Sequence, residues 1–160
     1  MSYKITHSAE ETKQIAAELA QLIEPGKVIS LKGNLGSGKT TFSQGFAKAL
    51  GIKRAVKSPT YTIVKHYPLD EQGKLFNHID AYRLEEGGAE SIDLESFIDD
   101  DTITLIEWAE FVIDYMPETY LEIELEAVDN DERKIQVRTV GQSDDYDQLK
   151  KEWTQNWKGL

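Results

Sequence analysis

Apolar residues recur along this chain with two alternating periods, and each switch of period marks an element. Ser8-Ala9-Glu10-Glu11 has the form of a capping box. Behind it Ile15, Ala16, Leu19, Leu22 and Ile23 share one helix face that ends at Pro25-Gly26. Val28 to Leu31 reads as a short buried strand, and Thr41 to Leu50 as a helix carrying Phe42, Phe46 and Ala49 and stopping at Gly51. Tyr61 to Tyr67 and Leu75 to Asp80 predict an antiparallel pair turning at Gln72-Gly73. Ser91 to Ile98 reads as a short helix, Asp99 to Asp101 as a solvated turn, and Ile103 to Glu107 as a second apolar strand. Trp108 and a helical-looking Ala109 to Tyr115 follow, closed by Pro117. Leu121 to Leu125 and Ile135 to Arg138 alternate across Asp129-Asn130-Asp131, which predicts a hairpin at the sheet edge. From Asp144 onward Tyr146, Leu149, Trp153 and Trp157 fall at helical spacing. Such a stripe more commonly covers a core than faces a partner.

Strands alternating with helices predict an α/β fold. Length bounds it to one domain, residues 1–160, of which 141–160 form a helical tail. The chain has no cysteine, which removes disulfides and thiolate metal sites and suits a reducing cytoplasm. Its polar start, Met1-Ser2-Tyr3-Lys4-Ile5, leads into the first helix and is unlike a signal peptide. No apolar run approaches membrane-spanning length. A cytoplasmic protein without membrane contact is expected. The net charge of −11, from 29 acidic against 18 basic residues, opposes tight direct binding of nucleic acid; Lys53-Arg54 with Lys57 is the densest basic group.

The chemistry concentrates in Gly33-Asn34-Leu35-Gly36-Ser37-Gly38-Lys39-Thr40, between the Val28–Leu31 strand and the following helix. Glycines at 33, 36 and 38 let main-chain N–H groups converge on phosphate oxygens, and the helix start adds its dipole. Lys39 supplies a charge for the outer phosphates and Thr40 a hydroxyl for magnesium. A glycine-rich turn that matches by chance would lack both flanking elements. Two strands end in acids: Glu107, on the more apolar one, is assigned to the metal, directly or through water, and Asp80 to polarising water or completing the metal's outer shell, with capping a helix or pairing with Arg83 as the structural alternative. Ser58 and Thr60, around Pro59, occupy the place of a switch segment or of an ordinary turn. His7, His66 and His78 show no ligand spacing and receive no metal role. The absence of an Asn-Lys-x-Asp signature favours adenine over guanine. The same residues would also suit a small-molecule kinase with Asp80 as base, or a nucleotide-gated binding module.

Taken in order, Gly-Asn-Leu-Gly-Ser-Gly-Lys-Thr-Thr, Val56-Lys57-Ser58-Pro59-Thr60-Tyr61-Thr62, His78-Ile79-Asp80-Ala81-Tyr82-Arg83-Leu84 and Leu105-Ile106-Glu107-Trp108 resemble the bacterial TsaE (YjeE) family over about residues 5 to 140. The resemblance implies a P-loop NTPase-like three-layer fold, with a central mostly parallel sheet and antiparallel strands at its edges. It also implies an ATPase needed for threonylcarbamoyl modification of the adenosine beside the anticodon in tRNA. Such an enzyme binds ATP and Mg2+ and acts on the TsaD–TsaB complex. Carried over by position, Gly33, Asn34, Leu35, Gly36, Ser37, Gly38, Lys39, Thr40 and Thr41 would hold the phosphates, and Arg133 would lie over the base. Thr40 and Glu107 would hold the metal, and Asp80, Lys39 and Thr60 would serve hydrolysis. Ser58, Thr60 and Trp108 would belong to the nucleotide-sensing, partner-facing side. Contact with tRNA would be left to the partners.

Overall fold

A computed structural model describes residues 2–53, 64–84 and 93–157. Its centre is a seven-stranded sheet built from β1 (Ser2–Thr6), β2 (Val28–Lys32), β3 (Val64–Pro68), β4 (Leu75–Asp80), β5 (Thr102–Glu107), β6 (Tyr120–Asp129) and β7 (Glu132–Val140), in the order β1-β7-β6-β2-β5-β4-β3. The middle strands β6, β2, β5 and β4 run parallel, while β7, β1 and β3 are added antiparallel at the two sides. This is the P-loop NTPase-like α/β arrangement the sequence implies. β5 is buried along its whole length because a parallel strand is covered on both faces.

One face carries α1 (Ala9–Leu22), α2 (Lys39–Ala49) and α4 (Asp144–Asn156). Ile15, Leu19, Phe42 and Phe46 pack there against Ile29, Leu31, Leu105 and Leu121. Ser8 caps α1 by accepting from the Glu11 N–H at 3.1 Å, as the capping box predicts. Trp153 of α4 is fully buried, donates its indole N–H to the Ile15 carbonyl at 2.9 Å and meets Phe42 edge-on. The aromatic stripe after Asp144 thus covers the core. The opposite face is thinner, with the single-turn α3 (Leu94–Phe97) and 3-10 segments at Tyr82–Leu84 and Ala109–Tyr115 over Val28, Ile79 and Ile106. Among the described residues no helix is long and apolar enough to cross a membrane.

The structure corrects several expectations. The β6–β7 hairpin is not at the edge, because β6 bonds to β2 and β7 to β1, a strand with too few apolar residues to announce itself. Alternating apolar and acidic residues in β6 report one solvated face, not an open edge. The helical-looking Ala109–Tyr115 is helical as expected, in the 3-10 form with a kink at Val112. Ala109 and Val112 are its buried positions, and their spacing of three suits three residues per turn. The short helix expected over Ser91–Ile98 is one turn, and β3 begins at Val64; residues 61–63, 91 and 92 lie outside the described residues, as do Ser58, Thr60, Arg54 and Lys57.

Gly45 shows how closely α1 and α2 approach. A Cβ at this position would stand 2.7 Å from the Lys13 Cα and carbonyl oxygen. Alanine gains about 1 kcal/mol of helix propensity over glycine, but forcing apart two packed backbones costs about 1–3 kcal/mol. Gly45→Ala is therefore expected to lower stability, by about 1 kcal/mol net, read as a reduced urea midpoint with an unchanged denaturant slope.

Candidate nucleotide-binding site

Strand β2 ends at Lys32, and the chain then turns through residues 33–38 into α2. The turn is closed by the Ser37 N–H donating to the Asn34 carbonyl at 3.1 Å. A Cβ on Gly33 would lie 2.6 Å from the Leu125 carbonyl oxygen, and Gly36 and Gly38 adopt φ of 80° and 103°. Non-glycine residues avoid both situations. Gly38 occupies the N-cap position of α2, where no side chain caps the helix, so its leading N–H groups face the loop interior. Leu35 stands exposed at the tip, whereas Ser37 is buried with its hydroxyl oxygen unpartnered.

The pairing of β2 with β5 and of β5 with β4 aligns Leu31, Glu107 and Asp80 at one level, where the strands end. A pocket of about 340 Å³ opens there, lined by Gly36, Gly38, Lys39, Thr40 and Thr41 of the loop and helix start, by Asp80, Tyr82, Glu107 and Trp108 from the ends of β4 and β5, and by Arg133. Two acids assigned from separate strand ends thus face the same loop. Gly33, Asn34 and Ser37 border an adjoining cavity of about 520 Å³ on the β6 side, together with Leu35 and Trp108. Arg133 lies beside Gly38, donates Nη1 to the Asn130 and Glu132 carbonyls at 2.6 and 2.8 Å, and also borders a cleft of about 120 Å³ with Ala9, Thr12 and Asp131. Thr60 and Ser58 lie outside the described residues.

Among the described residues no carboxylate is in contact with Lys39. Its ammonium donates to the Gly33 carbonyl at 2.5 Å and sits 3.7 Å from the centre of the Trp108 ring. Burial lowers its pKa; the negative charges of Glu107, Asp80 and Glu110 oppose that only in part. Trp108 reaches the ammonium from a left-handed backbone (φ 60°, ψ 42°), a conformation that costs a bulky residue roughly 1–3 kcal/mol. Tyr82 and Phe111 pack against the indole at 5.0 and 5.8 Å between ring centres and hold it there.

The acids differ in setting. Asp80 accepts from the Tyr82 N–H at 3.0 Å at the mouth of the pocket. Glu107 is 3 % exposed, and its Oε2 lies 2.6 Å from His78 Nε2. Sequence reasoning passed over His78, although its position two residues before Asp80 on β4 puts it on the same sheet face. His7 pairs with Glu132 and His66 with Asn77. Among the described residues no three His, Cys, Asp or Glu side chains cluster as a metal site. These residues fit a polyphosphate accompanied by magnesium: an uncapped helix start, a half-desolvated ammonium short of anionic partners, and a few hard oxygens from Thr40, Asp80 and Glu107. Magnesium takes few protein ligands beside phosphate and water.

A family model described as threonylcarbamoyl adenosine biosynthesis protein TsaE matches residues 6–135. The chain belongs to the TsaE family. The tRNA threonylcarbamoyladenosine biosynthesis protein TsaE of Bacillus subtilis (strain 168) is 42% identical over 137 residues, covering 85% of this chain and 84% of the relative. The protein of the same name from Aquifex aeolicus is 42% identical over 135 residues, covering 83% and 92%. The crystal structure of Bacillus subtilis YdiB superposes with a TM-score of 0.80 at 34% identity, over 97% of this chain and 95% of that one. The TsaE match takes in the glycine-rich loop, both acidic strand ends and the start of β7, and leaves α4 outside.

Because burial lowers the Lys39 pKa, there is a window below the ordinary lysine value of 10.5 in which the unfolded chain keeps this proton more fully than the folded one. The cost of burying the charge is complete below that window and is relieved as pH rises through it. Lys39→Met is therefore expected to raise the urea midpoint of the nucleotide-free protein at neutral pH. The advantage should shrink as pH climbs into the window, and a less stable variant at pH 7 would contradict this account.

Proposed function

We propose that the protein is an ATPase serving threonylcarbamoyl modification of the adenosine beside the anticodon in tRNA, in the cytoplasm and in concert with a TsaD–TsaB complex. The observation that carries this reading is the convergence of Lys39, Thr40, Asp80 and Glu107 on one pocket at the N-terminus of α2, in a chain of the TsaE family. ATP enters with its phosphates against the glycine-rich loop. Lys39 exchanges the Gly33 carbonyl and the Trp108 face for phosphate oxygens, so a poorly solvated cation acquires anionic partners. The main-chain N–H groups of residues 36–40 bear on charge that grows on the phosphates as the terminal bond breaks. Thr40 and Glu107 would hold magnesium, which when bound neutralises the outer phosphates. Asp80, at the pocket mouth, accepts a hydrogen bond from the attacking water and orients it toward the terminal phosphorus. Arg133 beside Gly38 borders the space for the base.

Turnover by the isolated chain is expected to be slow. Among the described side chains the arginine that lines the pocket is Arg133, and two main-chain carbonyls hold its guanidinium; lack of a mobile arginine at the terminal phosphate costs about 10³-fold or more in rate. The net charge of −11 is poorly suited to tRNA and agrees with leaving that contact to partners. Single-turnover hydrolysis of labelled ATP, with and without TsaD–TsaB, tests the proposal. Slow release of phosphate that accelerates on adding the partners is expected, and full speed in isolation would refute it. Calorimetry separates the roles: Lys39→Ala should abolish ATP binding, whereas Glu107→Ala should retain it and lose the response to magnesium.

A further inference from the structure

The metal-side carboxylate does not stand alone. In the β4–β5 register Glu107 lies opposite Asp80, and His78 lies opposite Leu105, one pleat deeper on the same face. The Glu107 side chain nevertheless pairs with His78, with Oε2 and Nε2 2.6 Å apart and both side chains almost wholly excluded from water. Glu107 also borders the phosphate pocket. Its carboxylate therefore has one oxygen tied back into the sheet and the other left to serve the pocket.

His78 is itself fixed. Its ring lies at 14° to that of Phe76, which is fully buried, and its Nδ1 is buried without a partner. An imidazole with one buried nitrogen unpartnered and the other against a carboxylate keeps its proton on the carboxylate side, since only an N–H satisfies that oxygen. The ring's donor is thus spent wholly on Glu107.

We propose that His78 is a positioning residue. By donating Nε2–H to Glu107 Oε2 it holds that carboxylate in the single orientation from which its other oxygen can meet the divalent cation that accompanies a bound triphosphate. The inference rests on the nucleotide-binding reading above and deepens it. It requires that His78 act on cation affinity and leave metal-free nucleotide affinity alone, because no atom of His78 borders the pocket. Outer hydrogen-bond partners of metal-binding carboxylates and imidazoles typically change metal affinity 10–100-fold.

The test titrates Mn2+ into the full-length protein carrying one equivalent of ATP, at protein concentrations high enough that little nucleotide is left free to chelate the metal, following free Mn2+ by electron paramagnetic resonance, beside ATP titrations in chelator. His78→Leu, which keeps bulk and loses the donor, should weaken Mn2+ binding about 10-fold or more with metal-free ATP affinity unchanged. His78→Gln, whose amide N–H₂ reaches the place of Nε2, should restore most of that loss. Equal losses in both variants, or none in His78→Leu, would overturn the proposal. Should the leucine variant fail to fold, the wild type still decides. Long-range ¹H–¹⁵N spectra should show His78 protonated at Nε2 with Nδ1 bare, and a proton on Nδ1 alone would overturn the idea. A wild type that binds no ATP would overturn the nucleotide reading itself, whereas one whose ATP binding ignores Mn2+ would overturn this inference alone.

Discussion

The site depends on a matter of register. Parallel pairing of β2 with β5 and of β5 with β4 brings three strand ends to one level, so that the loop leaving β2, the carboxylate ending β5 and the carboxylate ending β4 lie within two strand spacings, about 10 Å of sheet. Parallel strands release their loops on the same side, and ligands collect in the crevice there. A slip of one residue in β5 would turn Glu107 to the opposite face, toward Ile79 and Val112, where nothing could use its charge. The complete burial of β5 guards against this slip, because both of its faces are committed to packing.

Within that frame the pocket is under electrostatic tension. Lys39 is buried against a carbonyl and an indole, Ser37 keeps an unpartnered hydroxyl oxygen, and the α2 N-terminus has no side-chain cap. A buried cation without a counter-charge and a buried hydroxyl without a partner are both unfavourable, and negative charge at this helix start would relieve the first. The rest of the fold offsets the cost. Trp153 bonds to Ile15, Tyr146 accepts the Val28 N–H at 2.8 Å, and Lys4 ties β1 to the end of α4 by donating to the Trp157 carbonyl at 3.1 Å. The C-terminal helix, beyond the family match, thereby braces the first residue of the strand that leads into the loop.

Trp108 links the two sides of this balance. Its left-handed backbone follows directly after Glu107, so the turn that ends β5 both exposes the carboxylate to the pocket and swings an aromatic face over Lys39. The partners Tyr82 and Phe111 come from different 3-10 segments on the thin face of the sheet. The aromatic group beside Lys39 is thus assembled from segments that also shield Val28 and Ile106.

What the sequence determined by itself was whatever depends on near neighbours. The capping box at Ser8, the strand Leu75–Asp80, the loop from Gly33 to Thr40 and the acids at two strand ends all announce themselves within a few residues, because helix caps, pleats and phosphate loops are short-range structures. Tertiary structure alone decided the strand order, the place of β1 beside β7, and the pairings that give the site its character. His78 with Glu107 is 29 residues apart in sequence and Trp153 with Ile15 is 138 apart. Neither leaves a local trace, since a histidine or tryptophan on an apolar face reads as ordinary core until the sheet has assembled. Alternation in β6 likewise announced a solvated face but not which strands would flank it, because hydrogen bonding along a sheet runs perpendicular to the period that side chains reveal.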